Sequence, residues 1–95
     1  MKKLEKFCLD NNLALMKVKY RHQFGYCRRV GYDIVKPATQ EILCSFEPVE
    51  YTSGDRWYLR NVHKGFKGPR YCKRISKKIL SYIDPKGISF IRFNK

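Results

Sequence analysis

The chemistry this chain can offer is concentrated between His63 and Lys78. Lys64-Gly65-Phe66-Lys67-Gly68-Pro69-Arg70 is followed there by Lys73, Arg74, Lys77 and Lys78. Glycines let an oxyanion approach the backbone closely, and proline suits the first position of a helix, where it has no N–H to leave unpaired. A helix N-terminus adds free N–H groups and the positive end of its dipole. Gly68, Lys64, Lys67 and Arg70 would then cradle a phosphate. Lys73, Arg74, Lys77 and Lys78 would follow a backbone carrying one charge every few ångströms. The alternative is a connecting loop that leads into an amphipathic helix with a solvated basic face. No Gly-Lys-Ser or Gly-Lys-Thr closes the loop and no G-x-G-x-x-G precedes it, so nucleotide hydrolysis is not expected.

Aromatic residues form a second candidate. Tyr26, Tyr32, Tyr51, Trp57, Tyr58 and Phe66 lie among Arg28, Arg29, Arg56 and Arg60. Rings beside guanidinium groups can stack unpaired bases. Core packing is the commoner use and is favoured for Trp57, whereas Phe66, in a glycine loop, is expected to be exposed. His22 and His63 could serve as acid and base in RNA cleavage, but nothing in their spacing pairs them. Cys27, Cys44, His63 and Cys72 lack the close C-x₂₋₄-C or H-x₃₋₅-H spacing of a zinc site, so neither a metal nor a cofactor is expected. Nothing points to an extracellular setting. Cys8, Cys27, Cys44 and Cys72 are therefore expected as reduced thiols.

The charge that surrounds these residues is unevenly divided. The chain has 95 residues and a formal charge of +13, against a magnitude of about 2 to 8 for an ordinary small domain. From Met1 to Arg29 eight basic residues face Glu5 and Asp10; from Val30 to Asp55 only Lys36 faces Asp33, Glu41, Glu47, Glu50 and Asp55; from Arg56 to Lys95 twelve face Asp84 alone. Folding that brings the two basic ends onto one face would leave the acidic middle on another. A hydrophobic fraction of 43% and an aromatic fraction of 15% are too high for a disordered basic tail. No apolar run approaches the roughly 18 residues that cross a bilayer. One small basic domain over residues 1–95, in the cytoplasm and away from membranes, is expected.

The elements that must position these groups follow from periodicity. Leu4, Phe7 and Cys8 predict a helix over Lys2–Asn11, stopped by Asn11-Asn12. Ala14, Met16, Val18 and Tyr20 predict one apolar strand face, with Leu15, Lys17 and Lys19 on the other. After a turn at His22–Gly25, a second strand would align Tyr26, Arg28, Val30, Tyr32 and Ile34 and end at Lys36-Pro37. A third carries Ile42, Cys44 and Phe46, and a fourth, Arg56–Val62, follows a turn at Thr52–Asp55. A helix from Pro69 to about Ile83 would bury Tyr71, Cys72, Ile75, Ile79, Tyr82 and Ile83, and Asp84–Gly87 would turn into a last strand at Ile88–Phe93. The fold class is α+β in the order α-β-β-β-β-α-β: an antiparallel sheet of about four to five strands with an N-terminal helix and a basic C-terminal helix.

Together these features suit a nonenzymatic nucleic-acid-binding module, with DNA and RNA left undistinguished. A second expectation is a small regulator or inhibitor that binds an acidic protein surface, and a third is a basic ribonuclease. The Lys-, Tyr-, Asn- and Ile-rich composition suits an accessory protein of a virus or mobile element with an AT-rich genome.

Overall fold

A computed structural model describes residues 2–22, 25–50, 55–83 and 91–92. The first helix, α1, spans Lys2–Asp10 and buries Leu4 and Cys8 one turn apart. Asn12 ends it in the left-handed region at φ 55°, while the Leu13 N–H reaches back to the Cys8 carbonyl at 2.8 Å. Asparagine tolerates that conformation because its short polar side chain bonds locally, so the pair at 11–12 stops the helix as its sequence predicts.

The strands are β1 (Ala14–Val18), β2 (Arg21–His22), β3 (Gly25–Tyr26), β4 (Gly31–Lys36), β5 (Glu41–Val49), β6 (Arg56–Arg60), β7 (Tyr71–Cys72) and, after helix α2 (Lys77–Leu80), β8 (Ile91–Arg92). The main sheet is antiparallel in the order β1-β4-β5-β6-β7, with β8 paired to β5, and β2-β3 forms a separate hairpin. The fold is therefore α+β, with the helices against one face of an antiparallel sheet. Among the described residues no helix is long and apolar enough to cross a membrane. The expected turns at 52–55 and 84–87 fall wholly or largely outside the described residues, as does Tyr51.

The core packs Leu4 and Cys8 of α1 and Ile75, Ile79, Leu80 and Ile83 of the α2 region against Ile34, Leu43, Cys44, Phe46, Trp57 and Leu59 of the sheet. A bulge sets this arrangement. Between Ile34 and Val35 the partner register jumps from Cys44 to Ile42, so Leu43 is an extra residue and both Leu43 and Cys44 join the core.

Three sequence expectations change at the residue level. In β1 it is Leu15 that packs on the core, while Met16 is 46% exposed. The three-residue link after α1 holds Leu13 and Leu15 on the helix side and turns the even-numbered residues away. The expected second strand is broken at Cys27–Val30, because the Arg28 and Arg29 N–H groups donate to the Glu50 carboxylate at 2.6 and 2.8 Å instead of to a neighbouring strand. Past the break, Gly31 lies under the Tyr20 ring. A Cβ there would stand 2.1 Å from Tyr20 Cε2 and 2.8 Å from the Phe46 carbonyl oxygen, so only glycine fits.

The helix expected from Pro69 is reduced to α2, Lys77–Leu80, with Ser76 as its N-cap. Residues 70–72 instead extend the sheet: the Leu59 N–H donates to the Arg70 carbonyl at 2.7 Å, and Tyr71 and Cys72 pair with Tyr58 and Trp57. The open edge of β6 offered unpaired backbone groups, and an aromatic residue fits a strand at least as well as a helix. Tyr71, expected inside, is 53% exposed.

Candidate functional site

The glycine loop does not open a helix, so the phosphate cradle expected at Pro69 is not formed. A Cβ on Gly68 would lie 2.5 Å from Tyr82 Cγ and 2.9 Å from Phe66 Cζ. Close ring packing, not the approach of an anion, accounts for glycine there. Phe66 is half-buried, edge-on to His63 at 5.9 Å and to Tyr82 at 6.1 Å, and the Arg70 guanidinium lies 5.6 Å from its centroid. His63 Nε2 is 3.3 Å from the Tyr82 carbonyl oxygen, a contact that holds the loop against the end of α2. The His22 side chain lies outside the described residues. Lys64, Lys67 and Arg70 are exposed around this packed base.

The arginines of the aromatic cluster divide into two groups. Arg29 turns inward, with its guanidinium 4.4 Å from the centroid of the Trp57 ring and Nη2 donating to the Arg56 carbonyl at 2.7 Å and the Val49 carbonyl at 3.3 Å. Its Nε is 3.6 Å from Glu50 Oε2. Arg29 is thus a clamp joining the 27–30 segment to β5 and β6, and Trp57, 7% exposed, is core. Burial alone would raise the Glu50 pKa. The Arg29 and Arg28 N–H groups and the two guanidinium charges outweigh it and hold the carboxyl below its ordinary value. Arg28, Arg56 and Arg60 remain exposed, with Arg60 2.8 Å from Glu47 and Arg28 only loosely placed, 4.0 Å from both Glu50 and Asp55.

Three of the five acidic residues of the middle block are engaged within the fold, while Asp55 stays exposed. Glu50 is engaged by Arg28 and Arg29, Glu47 by Arg60, and Asp33, 6% exposed, accepts a hydrogen bond from the Tyr20 hydroxyl at 3.2 Å. Beside them Ser45 is fully buried and its Oγ accepts from Asn61 Nδ2 at 2.9 Å. Burial, followed by the Asp33 charge, pushes the Tyr20 hydroxyl up to about 12. These groups lock one face of the sheet.

The two basic ends do meet. A groove of about 300 Å³ runs between the start of α1 and residues 73–75, with a floor of Leu4, Trp57 and Ile75 and a rim of Lys2, Lys3, Lys73 and Arg74. Lys3 and Lys77 also line a second groove, of about 220 Å³, that continues between α1 and α2 over Phe7 and Leu80, with Asp10 at its margin. The burial of Leu4 and Ile75 forces this juxtaposition, because each carries the adjacent basic residues to the rim. The rim cations repel one another, and the positive end of the α1 dipole adds to the same sign. The groove thus sets a positively charged rim over an apolar floor.

Of the site residues expected from sequence, Lys73 and Arg74 lie on this rim, Lys77 lies on the second groove, and Lys78 is exposed beside it. Lys64, Phe66, Lys67, Gly68 and Arg70 belong to the neighbouring loop, Arg28, Arg56 and Arg60 to the outer surface, and Arg29, half-buried, to the seam between the 27–30 segment and β6. Sequence reasoning missed Lys2, Lys3 and Tyr71. The first two carried a usable signal, since Leu4 one position on had to be buried. Comparison with protein-family models, with curated proteins and with solved structures finds no match to this chain.

Proposed function

We propose that this chain is a nonenzymatic nucleic-acid-binding domain that grips the phosphate backbone along the groove between α1 and residues 73–77. One observation carries the proposal: four cations from opposite ends of the sequence rim a single groove whose described lining includes no acidic residue. Each rim cation that neutralises a phosphate releases condensed counterions, which drives binding without reading sequence. Lys64, Lys67 and Arg70 extend the positive surface. The proposed setting is the cytoplasm, whose reducing conditions suit four free cysteines.

The test is to titrate the full chain into labelled single- and double-stranded DNA and RNA at several salt concentrations, with polyglutamate as a competitor. Four duplex phosphate contacts give a slope of log affinity against log salt of about −3 to −4. Binding that is absent, or insensitive to salt, would overturn the proposal. Displacement by polyglutamate as effective as by unlabelled nucleic acid would favour an acidic protein partner instead.

A further inference from the structure

We infer that Tyr71, supported by Tyr58 and Arg60, is a stacking platform for an unpaired base, so that the strand held by the groove is single-stranded. The inference rests on the proposed function and adds the class of ligand. Residues along a strand alternate in direction, so Trp57 and Cys72 of the β6–β7 pair face inward while their neighbours Tyr58 and Tyr71 face out on the opposite side. The two tyrosines stand directly opposite one another with ring centroids 4.9 Å apart, and Tyr71 is 53% exposed. Arg60, two residues along β6, brings its guanidinium 5.8 Å from the Tyr58 centroid and is held there by Glu47 at 2.8 Å.

What separates this patch from an ordinary exposed apolar residue is its construction. Tyr71 presents a π-face whose orientation is fixed by a second ring, and a tyrosine has few rotamers to lose on binding. A ring held in this way matches the face of an unpaired base, whose phosphate falls to the cations of the groove rim. The platform is also continuous with the rim of the groove. Tyr71 and Lys73 are two residues apart, about 7 Å along extended chain, and β7 is the last strand on its side of the main sheet. A phosphate held at Lys73 can therefore belong to a nucleotide whose neighbour passes round the β7 edge to lay its base on Tyr71. A duplex keeps its base faces inside the stack and cannot do this.

The test compares three labelled ligands of one length: a single-stranded oligonucleotide, the same strand with abasic sites throughout, and the duplex. Tyr71→Ala should weaken binding of the single strand about 5- to 160-fold, the size of one lost base stack, and leave the abasic strand and the duplex unchanged. Tyr71→Trp should restore binding. Tyr71→Leu, which keeps apolar bulk on Tyr58, should not, and it stands in should the alanine variant fold poorly. Equal losses on all three ligands, or none, would overturn the platform. The unsubstituted chain distinguishes the two proposals: if it binds the abasic strand as tightly as the normal one, the phosphate grip stands and stacking is wrong. If it binds none of the three, both are wrong.

Discussion

Replacing Lys73 and Arg74 with Glu removes two of the four cations on the groove rim. On a duplex each neutralised phosphate contributes about 0.9 to the salt slope, so four contacts give about −3.6 and two give about −1.8. Between 1 M and 0.1 M salt that difference amounts to roughly 60-fold in affinity, and the new carboxylates add repulsion. Lys2→Glu with Lys3→Glu removes the other two and should cause the same loss, although these residues lie some seventy positions away in the sequence. Acidic residues in the first turn of α1 also suit its dipole, so this variant should be no less stable than the parent. The comparison is Lys17→Glu with Lys19→Glu, which makes the same change of charge at exposed positions that line neither groove. Charges farther away than a Debye length, about 10 Å at 0.1 M salt, should matter much less. Fluorescence anisotropy across a salt series, beside thermal melts, measures all three. Equal losses from the three folded variants would show that only net charge matters and would refute the groove.

Four further outcomes are expected. Gly31→Ala should destabilise the fold by about 1–3 kcal/mol, because the new Cβ meets the Tyr20 ring and the Phe46 carbonyl; urea denaturation with an unchanged midpoint would contradict this packing. Gly68→Ala should cost a similar amount while the folded protein keeps its nucleic-acid affinity, and Gly65→Ala, with nothing nearer than 3.6 Å, should be neutral; a Gly68 variant of full stability that cannot bind would restore the anion cradle. Arg29→Met should cost about 1–3 kcal/mol, since it removes two charge-assisted bonds to carbonyls and the guanidinium nearer to the Glu50 carboxylate; unfolding followed by Trp57 fluorescence checks it. Burial holds the Cys8 thiol up at about 11 and the Cys44 thiol at about 12. Unfolded thiols ionise first, the unfolded chain then binds fewer protons, and stability should fall as pH rises from 9, their ordinary value, through 11. A denaturation midpoint that is constant over that range would show that the thiols are not desolvated.

Local chemistry made much of the fold legible. Leu4, Phe7 and Cys8 specify α1, Asn12 stops it, and the alternation of Ile42, Cys44 and Phe46 marks β5, because each signal is confined to one element. The failures lie where a distant partner decides. Arg28 and Arg29 break a strand because a carboxylate from the end of β5 captures their N–H groups, a competition that no local periodicity encodes. Tyr71 and Cys72 sit at helical spacing from Ile75 and Ile79, yet the unpaired edge of β6 claims them. Helix spacing across 71–83 was genuine only from Ile75 onward, where Ser76 provides a cap.

The site was legible as charge and illegible as geometry. Counting residues showed that the cations sit at the two ends of the chain. It did not show that Asp33, Glu47 and Glu50 of the acidic middle would be captured, since that depends on Tyr20 reaching Asp33 and on Arg29 and Arg60 reaching Glu50 and Glu47. This capture has a consequence for binding. Had Glu47 and Glu50 stayed solvated, they would have offset the field of the basic ends from across a small molecule, whereas closely paired with arginines they cancel charge locally, as dipoles whose field falls off quickly. The cations left outside are mostly lysines and arginines of the groove rim, the 64–70 loop and α2, so those dominate the field at a distance. The arginines that do the pairing are the ones interleaved with aromatics, and for that reason the interleaving in the sequence overstated the stacking surface. Arg29 covers Trp57, and of the two tyrosines left most exposed, Tyr26 and Tyr71, the second belongs to a segment whose periodicity had assigned it to the core.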